Sequence, residues 1–169
     1  HLSVHVVGAF LMCKAAWPHM AAQGYGRIVN TVSGGMFGLP GLTAYGPAKS
    51  AVFGLTRCLA QEAAAQGICV NAIAPQAATR MLQAAALAPE LRAQLEEKMK
   101  TAHVSPGALF LGHESCTLNG ETLAVSGGKV CRIGLTYNEG FTDASLSPEM
   151  IHDRLPEILD EASAHIWTS

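Results

Sequence analysis

Three short, largely apolar runs, the β-branched Arg27–Val32, then Cys69–Ile73 and Thr122–Val125, are separated by longer stretches with helical spacing. Such runs read as strands buried on both faces, and their alternation with helices points to a parallel sheet covered on both sides. The first helical stretch, Val4–Met20, places Val4, Val7, Leu11 and Ala15 on one stripe with Met12 and Ala16 beside it, and Gly24-Tyr25-Gly26 breaks it. After a glycine-rich loop, 34–43, a second helix is expected from Ala44 to about Gln66, because Pro47 fits only in a first turn and Gly67 is a stop signal. Pro75 is expected to end the second strand. A helix over Met81–Met99, broken near Pro89, follows; another is capped by Ser105, with Pro106 first, and ends by Gly112. Gly127-Gly128 ends the third strand, and Ser147-Pro148-Glu149 opens a last helix through about Leu159. The expected fold class is therefore α/β, a doubly wound parallel sheet. Three strands are few for that design, and a bare inner edge exposes unpaired backbone. Since the chain opens at His1 almost directly in a helix, further strands are expected from sequence upstream.

Length and composition narrow the function classes. At 169 residues, with 49% hydrophobic and 14% charged residues, the chain can bury a real core and is not disordered. A net charge of -2 supplies no basic field for nucleic acid. No apolar run reaches membrane-spanning length, so no membrane partner is expected. The five cysteines are odd in number and lack a C-x-x-C pair; they read as reduced thiols of a cytoplasmic protein, with no metal site.

The chemistry-bearing pattern is Ser33, then Tyr45 twelve residues on, then Lys49 four residues further. Tyr45 and Lys49 share one helix face and can touch. A phenol is a poor base at neutral pH, and a neighbouring ammonium favours the phenolate, so Lys49 is placed to tune Tyr45 for proton exchange with an alcohol or carbonyl. Ser33, at a strand end, could hold the substrate oxygen. A third element, Asn71-Ala72-Ile73-Ala74-Pro75 followed by Thr79, falls where parallel sheets bind ligands. Each has a blander reading: an exposed Tyr–Lys pair, a loop serine, and a helix N-cap at Thr79.

Taken together, order and spacing resemble the short-chain dehydrogenase/reductase family, C-terminal two-thirds, over roughly residues 4 to 132. That family pairs a serine after one strand with Y-x-x-x-K on the next helix, then N-x-x-x-P-G and a threonine. The resemblance implies a Rossmann-like sheet whose nucleotide-binding half lies outside this chain, with 1–132 as the C-terminal part of that domain and 133–169 as an extension with one helix. It implies an NAD(P)-dependent oxidoreductase in which Ser33 orients the carbonyl, Tyr45 is the acid/base, and Lys49 binds the nicotinamide ribose. It also implies that Pro75, Gln76 and Thr79 contact the nicotinamide end of NAD or NADP, and that helices 4–20 and 44–66 bury against a partner subunit in a homodimer or homotetramer. The segments Ala15-Ala16-Trp17-Pro18-His19-Met20 and Gly112-His113-Glu114-Ser115-Cys116 are similar to the branch that oxidises (3R)-hydroxyacyl-CoA.

The chain also departs from the family pattern. His5 stands where the family usually has an active-site asparagine, which makes it a further catalytic candidate or a packing residue. The serine-to-tyrosine spacing is one short of the usual thirteen, and Gln76 replaces a glycine. The phosphate-binding glycine loop and the acidic residue that selects NAD over NADP are absent from the 169 residues. A loop from Thr79 to about Ala88, with Met81, Leu82 and Leu87, is expected to cover the substrate or to pack on the core. The competing function is an inactive fragment that only dimerises.

Overall fold

A four-stranded sheet organises the computed structural model, which describes residues 1–80 and 88–167. Strands β1 (Gly26–Thr31), β2 (Ile68–Gln76), β3 (Thr122–Ser126) and β4 (Lys129–Ile133) lie side by side in that order. The first three are parallel, in register from Gly26↔Ile68 to Thr31↔Ile73 and from Ala72↔Thr122 to Gln76↔Ser126. The α/β architecture expected from the alternating runs is the one observed.

Two features of the sheet differ from expectation. β4 is a fourth, antiparallel strand reached through the Gly127-Gly128 turn. Both glycines have positive φ, 54° and 82°, the backbone that a two-residue hairpin matching strand twist requires. The second difference is that Pro75 lies inside β2 rather than ending it, opposite Val125. Backbone groups alternate sides along a strand: Ala72 N donates to Glu121 O on the β3 side, and Ile73 O accepts from Val32 N on the β1 side. The missing N–H of Pro75 therefore faces the β1 side, and β1 has already ended at Thr31, so no ladder bond is lost.

Helices cover both faces. A π-helical segment, Leu2–Val7, leads into α1 (Gly8–Gln23); α2 spans Tyr45–Ala63 and a 3-10 turn, Ala64–Gln66, completes it. Along α2, Ala48, Val52, Phe53, Thr56, Ala60 and Ala63 are buried at helical spacing. Of these, Val52 and Phe53 cluster with Ala72 and Ala74, and Ala60 and Ala63 with Val70; the three β2 residues point to one face of the strand. Ile73 points the other way and packs with Val125, Cys116 and Leu111. Leu111 belongs to α4 (Ser105–Gly112), which follows α3 (Pro89–Lys98). Fully burying side chains such as Ile68, Val70 and Leu111 stabilises the fold by about 1.5–3 kcal/mol each. Ser105 is the first residue of α4 rather than its cap; its hydroxyl lies 3.5 Å from Thr101 O and bonds no helix N–H.

Gly67 links the helix layer to β2. Its φ is 72°, and a β-carbon there would collide with the carbonyl oxygen of Gly24. The backbones at the ends of α1 and α2 can approach only because no side chain intervenes.

The chain divides into two compact units, His1–Ile133 and Gly134–Ser169. In the second, β5 (Thr136–Tyr137) pairs antiparallel with β6 (His165–Ile166). The expected last helix is two helices, α5 (Pro148–Asp153) and α6 (Leu155–Ile158). Pro156 has no N–H to donate to His152, and its ring clashes with that carbonyl, so one continuous helix is broken there. Ser147 caps α5, its Oγ accepting from Met150 N at 3.2 Å.

Candidate active site

β1 ends at Thr31, and the next residues turn over the C-terminal edge of the sheet. Ser33 is extended and caps a single 3-10 turn, Gly34–Phe37, its Oγ accepting from Gly35 N at 3.2 Å. The chain then folds back and enters α2 at Tyr45, with Pro47 in the first turn as expected. Lys49 follows one turn later on the same face. Its side chain is buried, 7% exposed, and Nζ donates to Thr31 O at 2.7 Å. Nζ also lies 5.8 Å from the centre of the Tyr45 ring. Burial pushes the Lys49 ammonium below the usual lysine range. The bond to Thr31 uses one of its three N–H donors and leaves two for another acceptor.

Gly35 is the residue around which these groups gather. A β-carbon on it would stand 3.5 Å from both Ser33 Oγ and Tyr45 Cε1, and 3.1 Å from Leu42 Cδ1. Ser33 Oγ and the edge of the Tyr45 ring thus both border the same point beside Gly35. The loop is held to the helix by Ser50, whose Oγ donates to Met36 O at 2.8 Å.

Beside this group lies a cleft of about 300 Å³ at the C-terminal ends of β1, β2 and β3. Ser33, Leu39, Leu42, Pro75, Gln76 and Ile133 are among its walls. Parallel sheets bind ligands at this end, and the volume suits one end of a dinucleotide with a small substrate. Leu39, Leu42 and Ile133 were not singled out from sequence. The signal for Ile133 was available, since Gly127-Gly128 is a hairpin turn that returns a strand to this edge.

The remaining candidates fall in different places. His5, on the π-helical segment, meets the Tyr45 ring edge-on with centroids 5.6 Å apart. Partial burial and then the charge of Lys49 hold its imidazole below the ordinary value. Thr79 lines a separate depression with Arg80, Glu96 and Lys100. Residues 81–87, most of the expected covering loop and the start of the Met81–Met99 helix, lie outside the described residues. Asn71 is fully buried; its Nδ2 donates to Leu118 O at 2.7 Å and its Oδ1 accepts from Glu121 N at 3.0 Å. It tethers the approach to β3 and does not reach the cleft. Among the described residues no cluster of three or more His, Cys, Asp or Glu could hold a metal ion.

Comparison with known proteins shows the family to which the chain belongs. The family model described as Enoyl-(Acyl carrier protein) reductase matches residues 1–129. A short-chain type dehydrogenase/reductase of Mycobacterium tuberculosis is 41% identical over 167 residues, covering 98% of this chain and 57% of the relative. The solved full-length peroxisomal multifunctional enzyme type 2 of Drosophila melanogaster superposes with a TM-score of 0.86 at 26% identity, over 99% of this chain and 30% of that one. ElxO, solved with NADP bound, superposes with a TM-score of 0.62 at 28% identity, over 73% of this chain and 54% of that one. The chain thus spans about half the length of the mycobacterial relative and less of the multifunctional enzyme. It belongs to the short-chain dehydrogenase/reductase family of NAD(P)-dependent oxidoreductases.

Proposed function

We propose that this chain carries the proton-transfer half of an enzyme that interconverts a secondary alcohol and its ketone, with Ser33, Tyr45 and Lys49 as its working residues. The observation that carries the reading is that Ser33 Oγ and the Tyr45 ring both border one point beside Gly35, next to the cleft that Ser33 and Gly35 line, with Lys49 buried one turn beyond Tyr45. In this reading Ser33 Oγ hydrogen-bonds the substrate oxygen and fixes its distance to Tyr45. Tyr45 takes the hydroxyl proton during oxidation and returns it during reduction. The buried cation of Lys49 favours the phenolate and offers its two remaining donors to the ribose hydroxyls. Pro75 and Gln76, at the open end of β2, would wall the nicotinamide; they line the same cleft as Ser33, so the residues present fit that group. When bound, the nicotinamide supplies the hydride acceptor or donor.

A (3R)-hydroxyacyl thioester is the leading substrate. The support is the branch-level similarity around Trp17-Pro18-His19-Met20 and His113-Glu114-Ser115-Cys116, with the apolar walls Leu39, Leu42 and Ile133. Assembly through α1 and α2 belongs to the same proposal, supported by exposed Phe10, Leu11 and Met12 on α1.

Tyr45→Phe in the full-length protein is expected to lower turnover about 10²–10⁴-fold. Near-normal turnover removes Tyr45 from the chemistry. Assay with both hydroxyacyl-CoA enantiomers and a panel of simple secondary alcohols tests the substrate; activity confined to non-thioester alcohols refutes the thioester and leaves the dehydrogenase reading standing.

A further inference from the structure

His5 lies on the Leu2–Val7 segment, whose π-helical winding turns side chains away from the positions an α-helix gives them and is frequent at functional sites. The segment packs against α2, and the imidazole of His5 stands perpendicular to the Tyr45 ring, centroids 5.6 Å apart and planes at 89°. The other face of His5 stacks on His1, 5.6 Å away and inclined by 13°, and His1 also meets Tyr45 edge-on at 5.8 Å. The titratable groups facing His5 are therefore Tyr45 and Lys49 from α2, and the ring of His1 from its own segment. The depression beside His1 is walled by Leu2, Ser3, Thr43, Ala44 and Pro47, which carry no charge.

We propose that His5 is a positioning residue that buttresses the Tyr45 ring while neutral and loosens it when protonated, so that the site shuts down in acid. The inference rests on the reading of Tyr45 as the acid/base. A neutral imidazole packs edge-on against the ring without cost. An imidazolium would add a second cation beside Lys49, in surroundings that already disfavour charge on both groups. The charged imidazole is therefore driven from the stack, and Tyr45 loses one of the ring contacts that hold it. An asparagine at this position could not act in this way, because it does not titrate.

The test has two arms, both on the full-length protein. In the first, the ring resonances of labelled His5 and Tyr45 are followed by NMR from pH 5 to 8. His5 is expected to titrate below about 6.5, its ordinary value, and the Tyr45 resonances to move with the same midpoint. In His5→Phe, which keeps a ring but cannot ionise, the Tyr45 movement is expected to vanish; His5→Asn is the second variant should Phe fail to fold. In the second arm, kcat/KM is followed in the direction of ketone reduction, where Tyr45 acts as the acid and its own titration gives no acid limb; the wild-type value is expected to fall tenfold per pH unit below the His5 midpoint, and this limb to be absent from the non-titrating variant. A Tyr45 ring blind to His5, or an acid limb unchanged in the variant, overturns the proposal. The NMR arm reads the contact whether or not Tyr45 takes part in turnover, so failure of the catalytic reading and failure of this one are distinguishable.

Discussion

Replacing Gly35 with alanine is the most direct probe of the site. The added methyl would sit 3.5 Å from Ser33 Oγ and from Tyr45 Cε1, ordinary contact distances, and 3.1 Å from Leu42 Cδ1, a few tenths of an ångström too close. Leu42 Cδ1 ends a flexible side chain and can yield. The stability cost is therefore expected near the low end of the overpacking range, about 1 kcal/mol, or about 2–4 °C in Tm for a chain of this size. The effect on turnover should be far larger. The methyl takes up space beside both Ser33 Oγ and the Tyr45 ring, and a substrate oxygen kept about 1 Å from its working position there can cost about 10²-fold. Thermal unfolding together with steady-state kinetics of the full-length protein would separate the two effects. Turnover within about twofold of wild type would refute the argument that the substrate oxygen is held between Ser33 and Tyr45.

Lys49→Met tests the buried cation through stability. The Lys49 ammonium is held below its ordinary value by burial, so between that lowered pKa and about 10.4 the unfolded chain binds more protons than the folded one. Wild-type stability should rise with pH across this window relative to Lys49→Met in urea unfolding; a difference flat with pH contradicts the burial. Gly67→Ala should cost well over 2 kcal/mol, because a β-carbon combines a left-handed backbone with a collision against Gly24 O; wild-type Tm would contradict the close approach of α1 and α2. Asn71→Ala strands Leu118 O and Glu121 N, so a loss of about 1–3 kcal/mol with unchanged KM is expected; a selective rise in KM would instead place Asn71 in binding.

Local chemistry was readable from the chain alone. Arg27–Val32 announced a buried strand because its β-branched residues favour one, Cys69–Ile73 and Thr122–Val125 did so as short apolar runs bounded by turn residues, and Pro47 with Gly67 bounded α2 through backbone constraints that need no tertiary context. The four-residue step from Tyr45 to Lys49 likewise placed both on one helix face. Other features depended on neighbours far away in sequence. That Pro75 sits inside β2 depends on where β1 stops, and no feature of residues 68–76 encodes that end. The burial of Lys49 needs Thr31 O, eighteen residues earlier, as its partner. Asn71, part of a motif that suggested a ligand site, turns inward because Leu118 and Glu121 offer it one acceptor and one donor. His5 meets Tyr45 only because the first segment winds as a π-helix and packs on α2. Periodicity and backbone stereochemistry act within a few residues, so sequence alone determines the type and approximate place of most elements, while bounds such as the end of β2 depend on the neighbouring strand. Which polar group is satisfied by protein, and which is left facing a cleft, is decided by the packing of elements against one another.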